Sequence, residues 1–387
     1  MPVKILVVDD EPDLQPLITQ RFRKRIRGNE FEFVFAANGV QALDTLEQEP
    51  SIDIVLTDIN MPQMDGLTLL GHLGQLDRML KAVVISAYGD MDNIRTAMNR
   101  GAFDFLTKPI DFTDLEVTID KTIRELESLK EGIRARSDLV SVQKELDVAA
   151  QIQHALLPKV FPPFPDRSEI DLFAIMEPAK QVGGDFYDFF WVNEHTLGFV
   201  IGDVAGKGVP AAILMAVTRT LVKATGARGT TPEECLGHVN RILALESSPE
   251  MFVTGIYGTL DTRTGEVRYA NAGHNPPFHL MAERAEMLPN TGGVVLGVLP
   301  EYGYGAASLT LAPGETLYLY TDGVTEAMNG ARELYGDARL GDYLRGALTL
   351  PPEALCREVH RQVAEHAGGA PQHDDITMLA LRFNGVH

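Results

Sequence analysis

Cysteine is almost missing: Cys235 and Cys356 are the only two in 387 residues, and they form no ligand-spaced pair. Two reduced, buried thiols are expected rather than a disulfide framework. Basic charge is scarce too. Thirty-four Lys and Arg stand against 54 Asp and Glu, giving a net charge of −20 with no long basic block. Such a chain lacks the phosphate-neutralising surface that nucleic-acid binding needs, and an anionic membrane repels it. The most apolar stretch, LGFVIGDVAGKGVPAAILMAV, is broken by Asp203, Lys207 and Pro210, so no membrane span is predicted. The apolar run in MPVKILVVDDE is too short for a signal peptide. A reduced, cytoplasmic setting is expected, with no nucleic-acid or membrane partner. Length and an ordinary 45% hydrophobic content allow two domains, each with its own core.

What is present falls into three stretches. Over residues 1–120, KILVVDD, FEFVFA, DIVLTD, KAVVIS and AFDFLTK read as strands separated by helix-length segments such as GVQALDTLEQ. That alternation predicts a doubly wound, flavodoxin-like α/β domain with ligands beyond the carboxyl ends of its strands. Residues 121–157 contain one glycine, Gly132, and no proline. Ile119, Thr122, Leu126, Leu129 and Ile133 follow three-four spacing. Leu139, Val142, Leu146, Ala149, Gln153 and Leu156 continue it one residue out of register, the shift falling near Gly132–Ser137. A helical linker forming a parallel dimeric coiled coil is expected; the alternative is a long amphipathic helix packed on its own domains.

Pro158 ends the linker. Residues 158–387 are strand-rich: IDLFAIME, FYDFFWV, TLGFVIGD, FVTGIYGTLD, EVRYANAG, ETLYLYTD and ITMLALRF, with helices around 209–226, 232–245 and 351–367. An α+β sandwich follows, with sheets packed together and helices outside.

Acidic residues mark the predicted strand ends. Asp9 and Asp10 close the first strand and Asp58 the third, while Ser86 and Lys108 end the fourth and fifth. An Asp pair there can hold Mg2+, and a carboxylate can act as a nucleophile toward phosphorus. Lys108 would pair with the added charge, and the Ser86 hydroxyl could move to hydrogen-bond it. VDDE, LTDINMPQMDG, VVISA and FLTKP, in that order, resemble the receiver domain of two-component response regulators. The resemblance covers residue 3 to about 120. It implies Asp58 as phosphoacceptor, Mg2+ held by Asp9, Asp10, Asp58 and the Asn60 carbonyl, and Ser86 with Phe105 as a switch pair. A sensor histidine kinase is the implied partner.

In the last stretch, Asp185 in VGGDFYD, Asp203 in GDVAGKG, Asp322 in YTDGVTE and Asp374 in HDDITML each sit in a short Gly-flanked or acidic setting beside an apolar run. Converging carboxylates repel strongly unless divalent cations sit between them. Two such ions can bind phosphate oxygens and acidify a water that attacks phosphorus. Asp203, beside Gly202, suits a shared position, and the Val204 carbonyl can add a ligand. With QIQHALLP at 151–158 and NAGHNPP at 271–277, these motifs resemble the SpoIIE-like branch of the PPM serine/threonine phosphatases, over about residues 145 to 384. The resemblance implies two Mn2+ or Mg2+ ions. Asp203 would bridge them, with Asp322 and Asp374 on one ion, Val204 on the other, and Asp185 near the second. Asp375 is less favoured than Asp374, because adjacent strand residues face opposite sides. His274 reads as a proton donor or as part of a rigid rim, and Lys207 as a phosphate-steering group or a solvated turn lysine.

The expected protein is a response regulator in which Asp58 phosphorylation, acting through a dimeric linker, controls a metal-dependent phosphoprotein phosphatase. The resemblance implies a phosphorylated anti-anti-sigma (STAS) protein as substrate. The alternative is a catalytically silent scaffold that sequesters a regulatory partner.

Overall fold

The structure is a computed structural model that describes residues 2–87, 90–246 and 250–385; the outermost limits of the expected domains, residues 1 and 387, lie outside them. The chain divides into two compact units, Met1–Ser141 and Val142–His387.

The first unit contains β1 (Val3–Val8), α1 (Leu14–Arg21), α2 (Arg23–Arg27), β2 (Phe31–Ala36), α3 (Gly39–Gln48) and β3 (Ile52–Asp58). It continues with α4 (Gly66–Leu73), β4 (Lys81–Ala87), α5 (Met91–Asn99), β5 (Asp104–Lys108) and the start of α6 (Phe112–Leu156). The strands form one parallel sheet in the order β2-β1-β3-β4-β5. Their apolar runs are nearly continuous because both faces are buried. Leu6, Val8, Val55 and Val84 join one core with α3 and α4, while Ile5, Val7, Ile54 and Ile85 join another with α1 and α6. Parallel strands end on the same side, so Asp9, Asp58, Ser86 and Lys108 gather at one rim.

Helix α6 is a single 45-residue helix that passes through Gly132 without a break. Its first turns belong to the receiver-like unit: Leu115, Ile119, Thr122 and Leu126 are all buried there. This corrects the expected seam, because side chains already committed to that core cannot also pack against a second chain. Leu129, Ile133, Leu139, Val142 and Val148 remain exposed along the helix.

The second unit begins with β6 (Ile170–Glu177), β7 (Phe186–Asn193), β8 (Thr196–Val204), α7 (Val209–Gly226), α8 (Pro232–Glu246), β9 (Val253–Asp261) and β10 (Glu266–Ala272). There follow β11 (Phe278–Leu280), β12 (Ala285–Met287), β13 (Ala306–Thr310), β14 (Thr316–Tyr320), α9 (Asp322–Thr325), α10 (Gly336–Gly346), α11 (Pro352–Ala367) and β15 (Ile376–Phe383). Two antiparallel five-stranded sheets result, ordered β13-β10-β9-β8-β7 and β12-β11-β14-β15-β6. Alternation sorts the side chains. Leu172, Ala174, Leu379 and Leu381 share one core with Phe199, Ile201 and Leu260 of the other sheet. Phe173, Met378 and Ala380 point the opposite way, against Leu344, Leu355 and Val359 of α10 and α11. Helices α7 and α8 cover the first sheet through Met215, Val222, Leu236 and Val239.

Candidate active site

In the first unit, Asp9, Asp10 and Asp58 offer ligand atoms that all lie within 4.8 Å of one another. Lys108 reaches across them. Its Nζ donates to Asp58 Oδ2 at 2.7 Å and to Glu11 Oε1 at 2.9 Å, and it lies 3.1 Å from Asp9 Oδ2. Burial works against the lysine's charge, but these acids outweigh it and raise its pKa. Burial also raises the pKa of Asp9, with the Asp58 charge adding to the effect. The Asn60 N–H donates to Asp58 Oδ1 at 3.3 Å, which sets the turn after β3. Ser86 is fully buried and its hydroxyl has no partner, whereas Phe105 is 39% exposed.

In the second unit the carboxylates come from both sheets. Phe186 of β7 pairs with Gly202 of β8, so one step further Asp185 and Asp203 face each other. On the other sheet Tyr320 pairs with Met378, and the Thr321 N–H donates to the Thr377 carbonyl, which brings Asp322 beside Asp374 and Asp375. Two glycines permit these approaches. A Cβ at Gly184 would stand 2.8 Å from the Val204 carbonyl oxygen, and one at Gly323 would stand 1.9 Å from that of Asp375.

The electrostatics are those of crowded acids. Burial raises the Asp185 carboxyl well above the usual carboxylate range, and the Asp203 charge adds to it. Asp203 is raised to about 7 by burial, then by Asp322 and Asp374. Asp322 is raised to about 6 by burial, then by Asp374. Hard oxygen donors held together against their own repulsion suit Mg2+ or Mn2+, so the residues present fit divalent cations. Among the described residues the second-unit acids do not form a group of three whose ligand atoms all lie within 4.8 Å of one another, as the receiver trio does.

Asp374 and Asp375 diverge. Asp375 is buried and committed to the backbone: Oδ1 accepts from the Ala179 N–H at 2.8 Å, and Oδ2 accepts from Gly184 at 2.6 Å and Asp185 at 3.4 Å. Asp374 faces the other acids and pairs with Lys207, whose Nζ lies 2.9 Å from Oδ2 and also donates to the His373 carbonyl. Lys207 stands between Gly206 and Gly208, both with positive φ, in a loop that only glycine-flanked backbone follows. His274 is 3% exposed. Its Nδ1 lies 2.8 Å from the Thr254 hydroxyl, and its backbone N–H and carbonyl bond the Asn271 side chain. Burial lowers its pKa to about 4, so the ring is neutral at neutral pH. That favours the rim-shaping reading over an imidazolium proton donor.

Two residues of this site carried no role of their own in the sequence, although Gln153 lies in the QIQHALLP signature and Thr321 in YTDG. Thr321 donates to Asp185 Oδ2 at 2.7 Å and so ties the two sheets together at the acids. Gln153, near the end of α6, donates to the Gly183 carbonyl at 2.6 Å and accepts from the Gly183 N–H at 3.0 Å, two residues before Asp185. Thr321 was legible as the partner of Asp322 in YTDG. Gln153 was disguised by its three-four spacing.

Two family models match the chain: the response regulator receiver domain over residues 5–120, and stage II sporulation protein E (SpoIIE) over residues 193–384. The phosphoserine phosphatase RsbU of Bacillus subtilis is 30% identical over 249 residues, covering 62% of this chain and 70% of RsbU. Protein IcfG of Synechocystis is 32% identical over 267 residues, and the chain spans 42% of IcfG's length. Among solved structures, the SiaA-PP2C domain of Pseudomonas aeruginosa superposes with a TM-score of 0.58 at 27% identity, covering 64% of this chain and 98% of that domain. The chain therefore belongs to the SpoIIE-type serine/threonine phosphatase family and carries a response-regulator receiver ahead of that domain. No helix among the described residues is long and apolar enough to cross a membrane.

Proposed function

We propose that this chain hydrolyses phosphoserine or phosphothreonine in a protein substrate, under control of Asp58 phosphorylation. The observation that carries the reading is the convergence of Asp203, Asp322 and Asp374, whose mutual repulsion the single ammonium of Lys207 relieves only in part. Asp203 would be shared by two Mn2+ or Mg2+ ions, with Asp322 and Asp374 on one and the Val204 carbonyl and Asp185 toward the other. Bound cations supply charge neutralisation and a water acidic enough to attack phosphorus near neutral pH. Asp185 is oriented by Thr321, and Asp375 fixes the loop that carries it. Lys207 reaches the rim on a loop with little freedom, where its ammonium can turn from Asp374 to a substrate phosphate oxygen.

Control would enter through Asp58. A phosphoryl group there would be cradled by Lys108 and the unpartnered Ser86 hydroxyl, with Mg2+ on Asp9, Asp10 and the Asn60 carbonyl. Phe105 would turn inward with Ser86. The readout would travel along α6, in a homodimer formed by its exposed apolar positions, to Gln153 and the loop before Asp185. RsbU's name as a phosphoserine phosphatase supports a phosphoserine substrate; a phosphorylated STAS protein of a partner-switching pathway is the proposed one, with a histidine kinase as phosphoryl donor.

The decisive assay is Mn2+-dependent phosphate release from an aryl phosphate and from phosphorylated STAS proteins, with and without beryllofluoride on the receiver. Wild type should exceed Asp203→Ala by orders of magnitude. Equal rates would leave the silent scaffold as the surviving reading.

A further inference from the structure

A cleft of about 210 Å³ opens directly beside Asp374, between the loop that carries it, the turn after Asp322 and the last turns of α11. Its floor is aliphatic, formed in part by Val363, Ala364 and Ile376. Its rim is acidic: Glu177, the last residue of β6, and Glu326, one turn beyond Asp322, both line it. No Lys or Arg lines the cleft, although the His360 and His373 imidazoles do and Lys207 holds Asp374 at its edge; Glu326 forms no ion pair among the described residues. Glu177 is met by the His360 imidazole at 2.5 Å. The walls are braced. Gln372 donates one side-chain amide to both the Glu177 and the Asp374 carbonyls, at 2.9 and 2.8 Å, which ties two of its walls together.

We infer that this cleft is a specificity subsite that receives a lysine or arginine side chain of the phosphoprotein, close in sequence to the phosphoresidue. The inference rests on the phosphatase reading above and refines its substrate class. Sharing Asp374 with the candidate cation site places the cleft within a few residues' reach of the scissile phosphate, since an extended chain advances about 3.3 Å per residue. An aliphatic floor under an acidic mouth fits a side chain with an apolar stem and a cationic head. A purely aliphatic side chain would cover the floor but leave Glu326 unpaired. An acidic one would meet like charge.

The test uses the full-length chain, Mn2+ and phosphoserine peptides in which one residue is walked along the positions flanking the phosphoserine. Three series carry lysine, leucine or glutamate as that residue. At one position lysine should raise kcat/KM over leucine about twofold to fivefold, as expected for an exposed charge pair, with glutamate lowest. In Glu326→Lys the order of lysine and glutamate should reverse at that position, while an unrelated surface variant, Glu283→Lys, keeps the wild-type order. Equal rates for all three series, a preference for leucine, or an order unmoved by Glu326→Lys would each overturn the subsite. Aryl phosphate turnover by the wild type, measured in parallel, separates that result from failure of the phosphatase reading, in which no substrate is hydrolysed at all.

Discussion

The carboxylate of Asp375 accepts the backbone N–H of Gly184 at 2.6 Å, which locks the end of one sheet to the loop that presents Asp185 from the other. Its neighbour Asp374 accepts the adjacent Asp375 N–H at 3.0 Å, a bond within its own loop, and turns its other oxygen toward Lys207. Asp375→Ala should therefore strand the N–H groups of Ala179 and Gly184 and cost about 1–3 kcal/mol each in the worst case. Thermal melts of the metal-free protein should show a clear drop for Asp375→Ala. Asp374→Ala should melt at or above wild type while losing Mn2+ affinity by calorimetry. The opposite pattern would reassign the two residues.

Crowding of the acids sets a pH dependence. In the folded, metal-free chain Asp203 and Asp322 keep their protons up to about 7 and about 6. Unfolded aspartates release theirs near pH 4, about the reference value. The folded state thus binds more protons across that interval, and stability falls as pH rises from about 4 to about 7. Mn2+ needs the deprotonated acids, so its binding should release protons in the same range and reverse the trend. Titration calorimetry in buffers of different ionisation enthalpy would show a proton release that fades above pH 7. Its absence at pH 6 would contradict the raised values.

In the receiver, Asp58→Asn should abolish labelling by a small phosphodonor. Lys108→Met should leave Asp9 and Asp58 without their shared cation and tighten Mg2+ binding to the unphosphorylated domain. Ser86→Ala removes a buried hydroxyl that has no partner, so stability should change by less than about 1 kcal/mol or rise slightly. The response of phosphatase rate to beryllofluoride should nevertheless be lost. A Ser86→Ala protein that still responds fully would remove Ser86 from the switch.

Gln153→Ala leaves both the N–H and the carbonyl of Gly183 unpaired in a buried setting. Phosphatase rate should fall at least about tenfold with the candidate metal-binding aspartates intact, a rise of about 1.4 kcal/mol in the barrier. A rate equal to wild type would mean that the end of α6 is only a structural prop.

Much of this architecture was readable from residue order. The parallel sheet followed from apolar runs spaced by helix-length segments, and DIVLTD ended on Asp58 as expected. Asp185, Asp203, Asp322 and Asp374 stood out because an acid beside an apolar run, flanked by glycine or, at Asp374, by another acid, has few structural uses. The short strands Phe278–Leu280 and Ala285–Met287 escaped notice, since three residues show no period. Helix Gly336–Gly346 was hidden by three glycines that lower helix propensity. The linker pattern misled for a different reason. Ile119 and Leu126 have coiled-coil spacing because a helix lying on a sheet and a helix facing a partner bury the same kind of stripe.

Each sheet of the second unit supplies half of the four acids, and Thr321 stitches the halves together. Any capacity of these acids to retain cations would therefore be a property of the packed interior rather than of any one loop. Gentle loosening of that interior by heat or denaturant should dissolve the cation pocket first, leaving a chain that still looks folded by its backbone signal but has already fallen silent.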